Sequence, residues 1–246
     1  DQASVETATI NPLIRDILGM LPRSTYIGYT ATPFANVFID PTVADDLYPR
    51  DFIYPMPRPE GYFGPEMIFG RDVLDGDGDS NFDGYDLVRI IPEEDELLYR
   101  PLNKEETDSF VPVITEDLRN ALYWFLLATA ARWHREGPVD SSMLIHTSFN
   151  TVVHKAYKAP LQKELDAIRE AVQAGETATI NALMDLWNSE NERVDMPRER
   201  PVEAFDEIVA YLPAVIEDCR VIIDNSRSDD RLSYEENTQN TIIAVG

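Results

Sequence analysis

The hydrophobic positions of this chain change their spacing several times, and each change predicts a different element. In Asn11–Met20, NPLIRDILGM, residues Leu13, Ile14, Ile17 and Leu18 recur at helical intervals behind Asn11 as cap and Pro12 at the first turn. This predicts a short helix, stopped by Pro22. Thr25–Tyr29, TYIGY, then predicts a strand that runs straight into Thr30-Ala31-Thr32-Pro33. From Pro41 to Pro112 the pattern breaks into many prolines and short β-like pieces (DFIYPM, EMIFG, DLVRII), as expected of an irregular, largely solvated insertion.

Regular spacing returns after Val113. Thr115 is placed to cap a long helix whose Leu118, Leu122, Phe125, Leu126, Thr129 and Trp133 share one side, while Tyr123, Trp124 and Leu127 make the other side apolar too. A helix of this kind is expected to be covered on both faces, and Gly137-Pro138 stops it. A strand over Met143–Thr147 follows, then a helix from near Asn150 to Gly175 with a kink expected at Pro160. Further helices are predicted over Thr177–Trp187 and Pro201–Leu212, separated by a charged linker at 190–200. The runs CRVIIDNS and NTIIAVG are nearly all apolar, as central parallel strands covered by helices are. Strands alternating with helices predict an α/β parallel sheet with a helical insertion at about 150–215.

Composition narrows the functional classes. The 246 residues, 43% of them hydrophobic, are enough for one large domain or two modest ones. No run approaches the roughly 20 apolar residues of a membrane span, and DQASVETATI lacks the basic and apolar regions of a signal peptide, so no membrane partner and a cytoplasmic location are expected. The single Cys219 forms no internal disulfide, and three dispersed histidines give no zinc pattern. A formal charge of −24, with lysines only at 104, 155, 158 and 163, disfavours stand-alone binding of nucleic acid but leaves room for a locally basic groove. The chain opens on Asp1 without Met and closes on an apolar β-type run, which reads as an excerpt of a longer polypeptide.

Three groups of residues are candidates for chemistry. In an α/β sheet, ligands bind at the carboxyl ends of parallel strands, so Thr30 and Thr32 are placed to relay hydrogen bonds between a carboxylate on a neighbouring strand and a phosphate or nucleic-acid contact. The alternative is a tight strand exit whose hydroxyls cap local backbone. SSMLIHTSFNTVVHK is a strand leading directly into a helix through polar residues suited to a cleft, although for His146 and His154 a satisfied structural role is favoured. Finally, Asp79, Asn81, Asp83 and Gly84 match the first half of an EF-hand loop, but the twelfth position is Ile90 rather than Glu, so a solvated acidic turn is preferred to a metal site. Asp72–Asp108 as a whole holds thirteen acids and three bases.

Taken together, DQAS, YIGYTATPFANVFIDP, MLIHTSFNTVVH, VIIDNS and IIAVG resemble the "Z-one" endonuclease-type domain, found joined to superfamily-two helicase-like ATPases of bacterial restriction-modification and phage-defence proteins. The resemblance implies RecA-like parallel sheet fragments of a helicase core. Residues 1–42 would be the end of a first RecA-like domain, 43–112 an acidic insertion, and 113–246 an incomplete second RecA-like domain. It implies a DNA translocase in which Asp1, Thr30 and Thr32 couple nucleotide state to domain closure, while His146, Thr147, Ser148 and Asn150 face DNA or the interlobe cleft. ATP and Mg²⁺ would be cofactors of the full-length protein, with none expected on this fragment, because neither Gly-Lys-Ser nor Gly-Lys-Thr occurs in the chain. DNA and a nuclease domain or subunit would be its partners. Two other readings stay open: a non-catalytic module docking a nuclease or partner subunit through the long helix Thr115–Glu136 and the helical insertion, which a large exposed apolar patch on Tyr123, Trp124 and Leu127 would favour, and a metal-dependent endonuclease using the acidic loop. No Glu-x-Lys or His-x-Lys nuclease signature is present.

Overall fold

The computed structural model describes the chain except for residues 1–9, 34–37, 43–46, 58, 73–81, 195–200 and 235–240. Two compact units result, Asp1–Tyr62 and Phe63–Gly246.

In the first unit, α1 (Ile10–Gly19) forms where the apolar spacing predicts it, starting one residue before Asn11. The strand predicted at Thr25–Tyr29 does not form, and all five residues are exposed. An isolated strand leaves its backbone groups without a ladder, and no described segment of this unit supplies one. Local alternation of apolar residues is therefore insufficient here.

The second unit begins with short elements, α2 (Pro65–Phe69) and α3 (Glu96–Tyr99). EMIFG, expected to be β-like, falls largely within α2. The base of the acidic loop is closed by an antiparallel bridge between Arg71 and Phe82. Gly84, the EF-hand-like glycine, packs against this base: a Cβ there would lie 2.6 Å from the Gly70 nitrogen. The insertion is not wholly solvated. Arg193 grips the Asp86 carboxylate, Arg89 pairs with Glu190, and Tyr99 and Phe110 pack on the main core.

The main core is built on two long helices. Helix α4 (Glu116–Glu136) is capped by Thr115, whose hydroxyl accepts the Leu118 N–H at 3.2 Å. It is covered on both faces, as its pattern predicts. Leu122, Leu126 and Leu127 are sealed, Tyr123 is buried, and Trp124 stacks against Trp187 with ring centroids 5.5 Å apart. Tyr123, Trp124 and Leu127 therefore form no large exposed apolar patch, the feature that would favour the docking-module reading. Helix α5 (Thr151–Ala174) continues through Pro160 and buries Val153, Tyr157, Leu161, Leu165, Ile168 and Val172, a stripe spaced by four and three. It ends at Gly175, where φ is 64° and the N–H groups of Gly175 and Glu176 return to the carbonyls of Val172 and Ala171. Helix α6 (Thr177–Arg193) follows. The single helix expected over Pro201–Leu212 is instead α7 (Phe205–Ile208), a 3-10 turn and α8 (Leu212–Asp218).

Three parallel strands, β1 (Ser141–Ile145), β2 (Cys219–Ile223) and β3 (Thr241–Val245), form a sheet of order β1-β3-β2. Val221, Ile223, Ile243 and Val245 point into the helical core, while Ile222, Ile242 and Ala244 lie on the other face under Leu232. The central strand β3 is buried at every position, the pattern its apolar run predicts.

A small parallel sheet is present, but the RecA-like reading is overturned. About 49% of the described residues are helical and the described residues form three strands, which is not a RecA-like helicase core. Among the described residues, four helices stand between β1 and β2, so hydrophobic positions that a wider sheet would need are spent on helix-to-helix packing.

Candidate functional site

The sheet register sets the site. Ser141, Thr241 and Cys219 are level at one end, and Ile145, Val245 and Ile223 at the other. All three strands therefore terminate together, placing His146, Gly246 and Asp224 side by side on one rim. Two further bonds extend the ladder by a step: Gly246 N–H donates to Ile145 O at 3.2 Å and Asp224 N–H to Val245 O at 2.9 Å. A Cβ on Gly246 would lie 2.3 Å from the Asp224 carbonyl oxygen, so this close approach requires glycine.

The β1–α5 junction is held by its own polar residues. Asn150 caps α5, its Oδ1 accepting the Val152 N–H at 2.9 Å, and its N–H donates to Ser148 Oγ at 3.1 Å. His146 is exposed and its Nδ1 bonds the Gly246 carbonyl. Thr147 turns inward to hydrogen-bond Tyr157, whose hydroxyl donates to Tyr99 O at 2.7 Å. Burial raises the Tyr157 pKa above its ordinary value, and the Thr147 bond offsets part of that rise. Thr147 also lines an apolar cavity of about 470 Å³ with Tyr99, Leu118 and Met143.

His154 joins the two loops at the rim. Buried at 4% exposure, it places Nε2 2.6 Å from Ser148 O and Nδ1 3.2 Å from Asn225 Nδ2, with its ring 6.0 Å from that of His146. Asn225 Oδ1 is already taken by the Arg227 N–H at 3.0 Å. The amide must therefore present its NH₂ to His154, which selects the ring tautomer with hydrogen on Nε2.

Beside this junction lies an open cleft of about 450 Å³ whose walls include Lys104, Asp108, Phe149, Asn150, Ser226 and Arg227. Phe149 is 93% exposed. Of these, only Asn150 stands out in the sequence as a site residue. Lys104, Ser226 and Arg227 lie far from it along the chain, and no local spacing connects them.

The remaining candidates fall elsewhere. Thr30 and Thr32 are exposed in the first unit, where the Thr32 N–H donates to Thr30 Oγ1 at 3.0 Å, a local turn in which a hydroxyl caps nearby backbone. Asp1, Asp79 and Asn81 lie outside the described residues; Asp83 is described and exposed. Among the described residues no group of three His, Cys, Asp or Glu side chains is placed to hold a metal ion.

The Z1 domain profile matches residues 117–246, which spans α4, the sheet and the whole rim. The chain belongs to the Z1 domain family. The match confirms the domain named by the resemblance and covers the second unit from the start of α4. No curated protein and no solved structure matches the chain. Among the described residues of this Z1 protein, no helix is long and apolar enough to cross a membrane.

Proposed function

We propose that this Z1 chain is the DNA-contacting part of an ATP-driven bacterial defence protein, and that the strand-end rim of its second unit meets the nucleic acid. The observation that supports the reading is the common termination of three parallel strands at His146, Gly246 and Asp224, beside the capped start of a 24-residue helix. Carboxyl ends of parallel strands are where α/β proteins bind ligands, and the N–H groups of a helix start favour phosphate. His146 and Asn150 are the rim residues assigned to the DNA backbone. Thr147 and Ser148 build the rim, since their polar groups are engaged inside the protein.

ATP and Mg²⁺ do not fit the residues of this chain. It contains no phosphate-binding Gly-Lys-Ser or Gly-Lys-Thr, and its described residues offer no metal-holding cluster. Phosphoryl transfer needs a phosphate cradle, a metal and charge compensation together, so ATP hydrolysis is not assigned to these residues. Both cofactors are assigned to other parts of the full-length protein, as is nuclease activity.

The reading is tested by fluorescence anisotropy of the chain with single- and double-stranded DNA at about 50 mM salt, a regime in which phosphate contacts are strong. Saturable binding that weakens in His146→Ala and Asn150→Ala supports it. A chain that binds neither form of DNA rules it out.

A further inference from the structure

We infer that the cleft beside the rim receives one nucleotide unit, its phosphate held by Lys104 and Arg227 and its base stacked on Phe149. The inference rests on the DNA-contacting role proposed above and deepens it by assigning residues that no motif singles out.

Charge sets this cleft apart. The protein carries −24 overall, and most of its described arginines are engaged by carboxylates or carbonyls. Lys104 and Arg227 have no ion-pair partner among the described residues, yet they arrive at one cleft from segments more than a hundred residues apart in sequence. Two solvated cations converging on one cleft make a local positive potential that favours an anionic visitor on an otherwise acidic protein. The first turn of α5 adds roughly half a positive charge at the same wall. Asp108 is the opposing carboxylate of the lining, so the balance at the cleft stays positive on a negative molecule.

An apolar feature points the same way, independently of charge. Phe149 is 93% exposed at the mouth of this cleft, while the sequence on either side of it is fixed by the Asn150 cap and the Ser148–His154 bond. A rigidly mounted aromatic face open to solvent, next to cations, is the pairing that single-stranded nucleic acid uses: bases stack on the ring and phosphates meet the charges. The cleft volume of about 450 Å³ suits one such unit. The turn at Asn225 contributes as well, because its Oδ1 accepts the Arg227 N–H at 3.0 Å and holds that residue's backbone in place.

A free nucleotide and a nucleotide within a strand share this chemistry, so both are probed. Anisotropy is measured with a fluorescent oligothymidylate of about fifteen residues over a salt series, and thymidine monophosphate binding is followed separately by calorimetry. Phe149→Ala is expected to weaken oligonucleotide binding roughly 5- to 150-fold, with Phe149→Tyr restoring it, as stacking on one ring predicts. Removing both cations in Lys104→Ala/Arg227→Ala should make the slope of log K against log salt shallower by about 1.4. Both changes are on exposed side chains, and circular dichroism checks that the variants fold. Unchanged affinity in Phe149→Ala and an unchanged salt slope, alongside weakened binding in His146→Ala, overturn the cleft assignment and leave the rim reading standing. If the unsubstituted chain binds no oligonucleotide, the rim reading falls; Phe149-dependent binding of the monophosphate then supports the cleft with a free nucleotide as ligand, and no binding of either overturns both.

Discussion

His154 and Asn225 stand 71 residues apart in sequence, and a 3.2 Å contact between His154 Nδ1 and Asn225 Nδ2 ties the first turn of α5 to the loop after β2. Because Asn225 Oδ1 is held by Arg227 and His154 Nε2 faces Ser148 O, each group has one role it can play. The His154 tautomer with hydrogen on Nε2 is expected, which ¹⁵N chemical shifts of the imidazole report directly. His154→Ala leaves the Ser148 carbonyl and the Asn225 amide without these partners in a buried setting, a loss of about 1–3 kcal/mol in unfolding free energy. Chemical denaturation measures it, and a variant as stable as the parent would show that the network is not structural.

The end of α5 gives a second expectation. Gly175 has φ of 64° and closes two returning hydrogen bonds, and a Cβ there meets no atom within 4 Å. Gly175→Ala should therefore cost about 1 kcal/mol from backbone conformation alone. Gly175→Asn should cost less, since Asn tolerates the left-handed region. Thermal unfolding of the two variants distinguishes them.

Cys219 opens β2 at 4% exposure, and burial, with Asp218 adding to it, pushes its thiol up to about 12. The thiolate is the reactive form, so native protein at pH 8 should react negligibly with a colorimetric disulfide reagent and release one equivalent only after denaturation. Rapid native labelling would place the thiol at the surface.

Glu203 links two helices. Its carboxylate meets Arg135 at 3.2 Å, and its carbonyl accepts the Trp187 indole N–H at 3.0 Å. Partial burial acts to raise its pKa, but its own backbone N–H and Arg135 outweigh that and hold it below the ordinary carboxylate value. A folded-state pKa below the unfolded one stabilises above the unfolded value, and the contribution fades as pH falls through the folded one. Glu203→Gln should flatten the acid limb of stability between about pH 5 and 3 relative to the parent. An identical acid limb would show that the pair contributes nothing.

What could be read in advance follows from the range of each interaction. The Thr115 cap, the two-faced α4, the Gly175 stop and the nearly all-apolar β3 are encoded within one or two helical turns or a single strand, and all appear. Thr25–Tyr29 shows the opposite case, because a strand depends on a neighbour that alternation cannot specify. The division of 201–218 into three short pieces likewise reflects packing against α4 and α6 rather than propensity. At the site, the residues within SSMLIHTSFN are visible as a polar strand exit, but their division into rim builders and outward-facing groups is not. That division depends on Asn225 and Gly246, brought in by the register of strands far apart in the chain, and on Tyr157 of α5.

DNA lying across the strand-end rim would leave a chemical footprint there. Photo-crosslinking with an oligonucleotide carrying 5-bromodeoxyuridine, followed by mass-spectrometric mapping, reads that footprint residue by residue. Crosslinked peptides are expected within 146–152 and 224–227, reduced when free unlabelled DNA competes. Crosslinks confined to other parts of the chain, with none at these two loops, would refute the proposed placement.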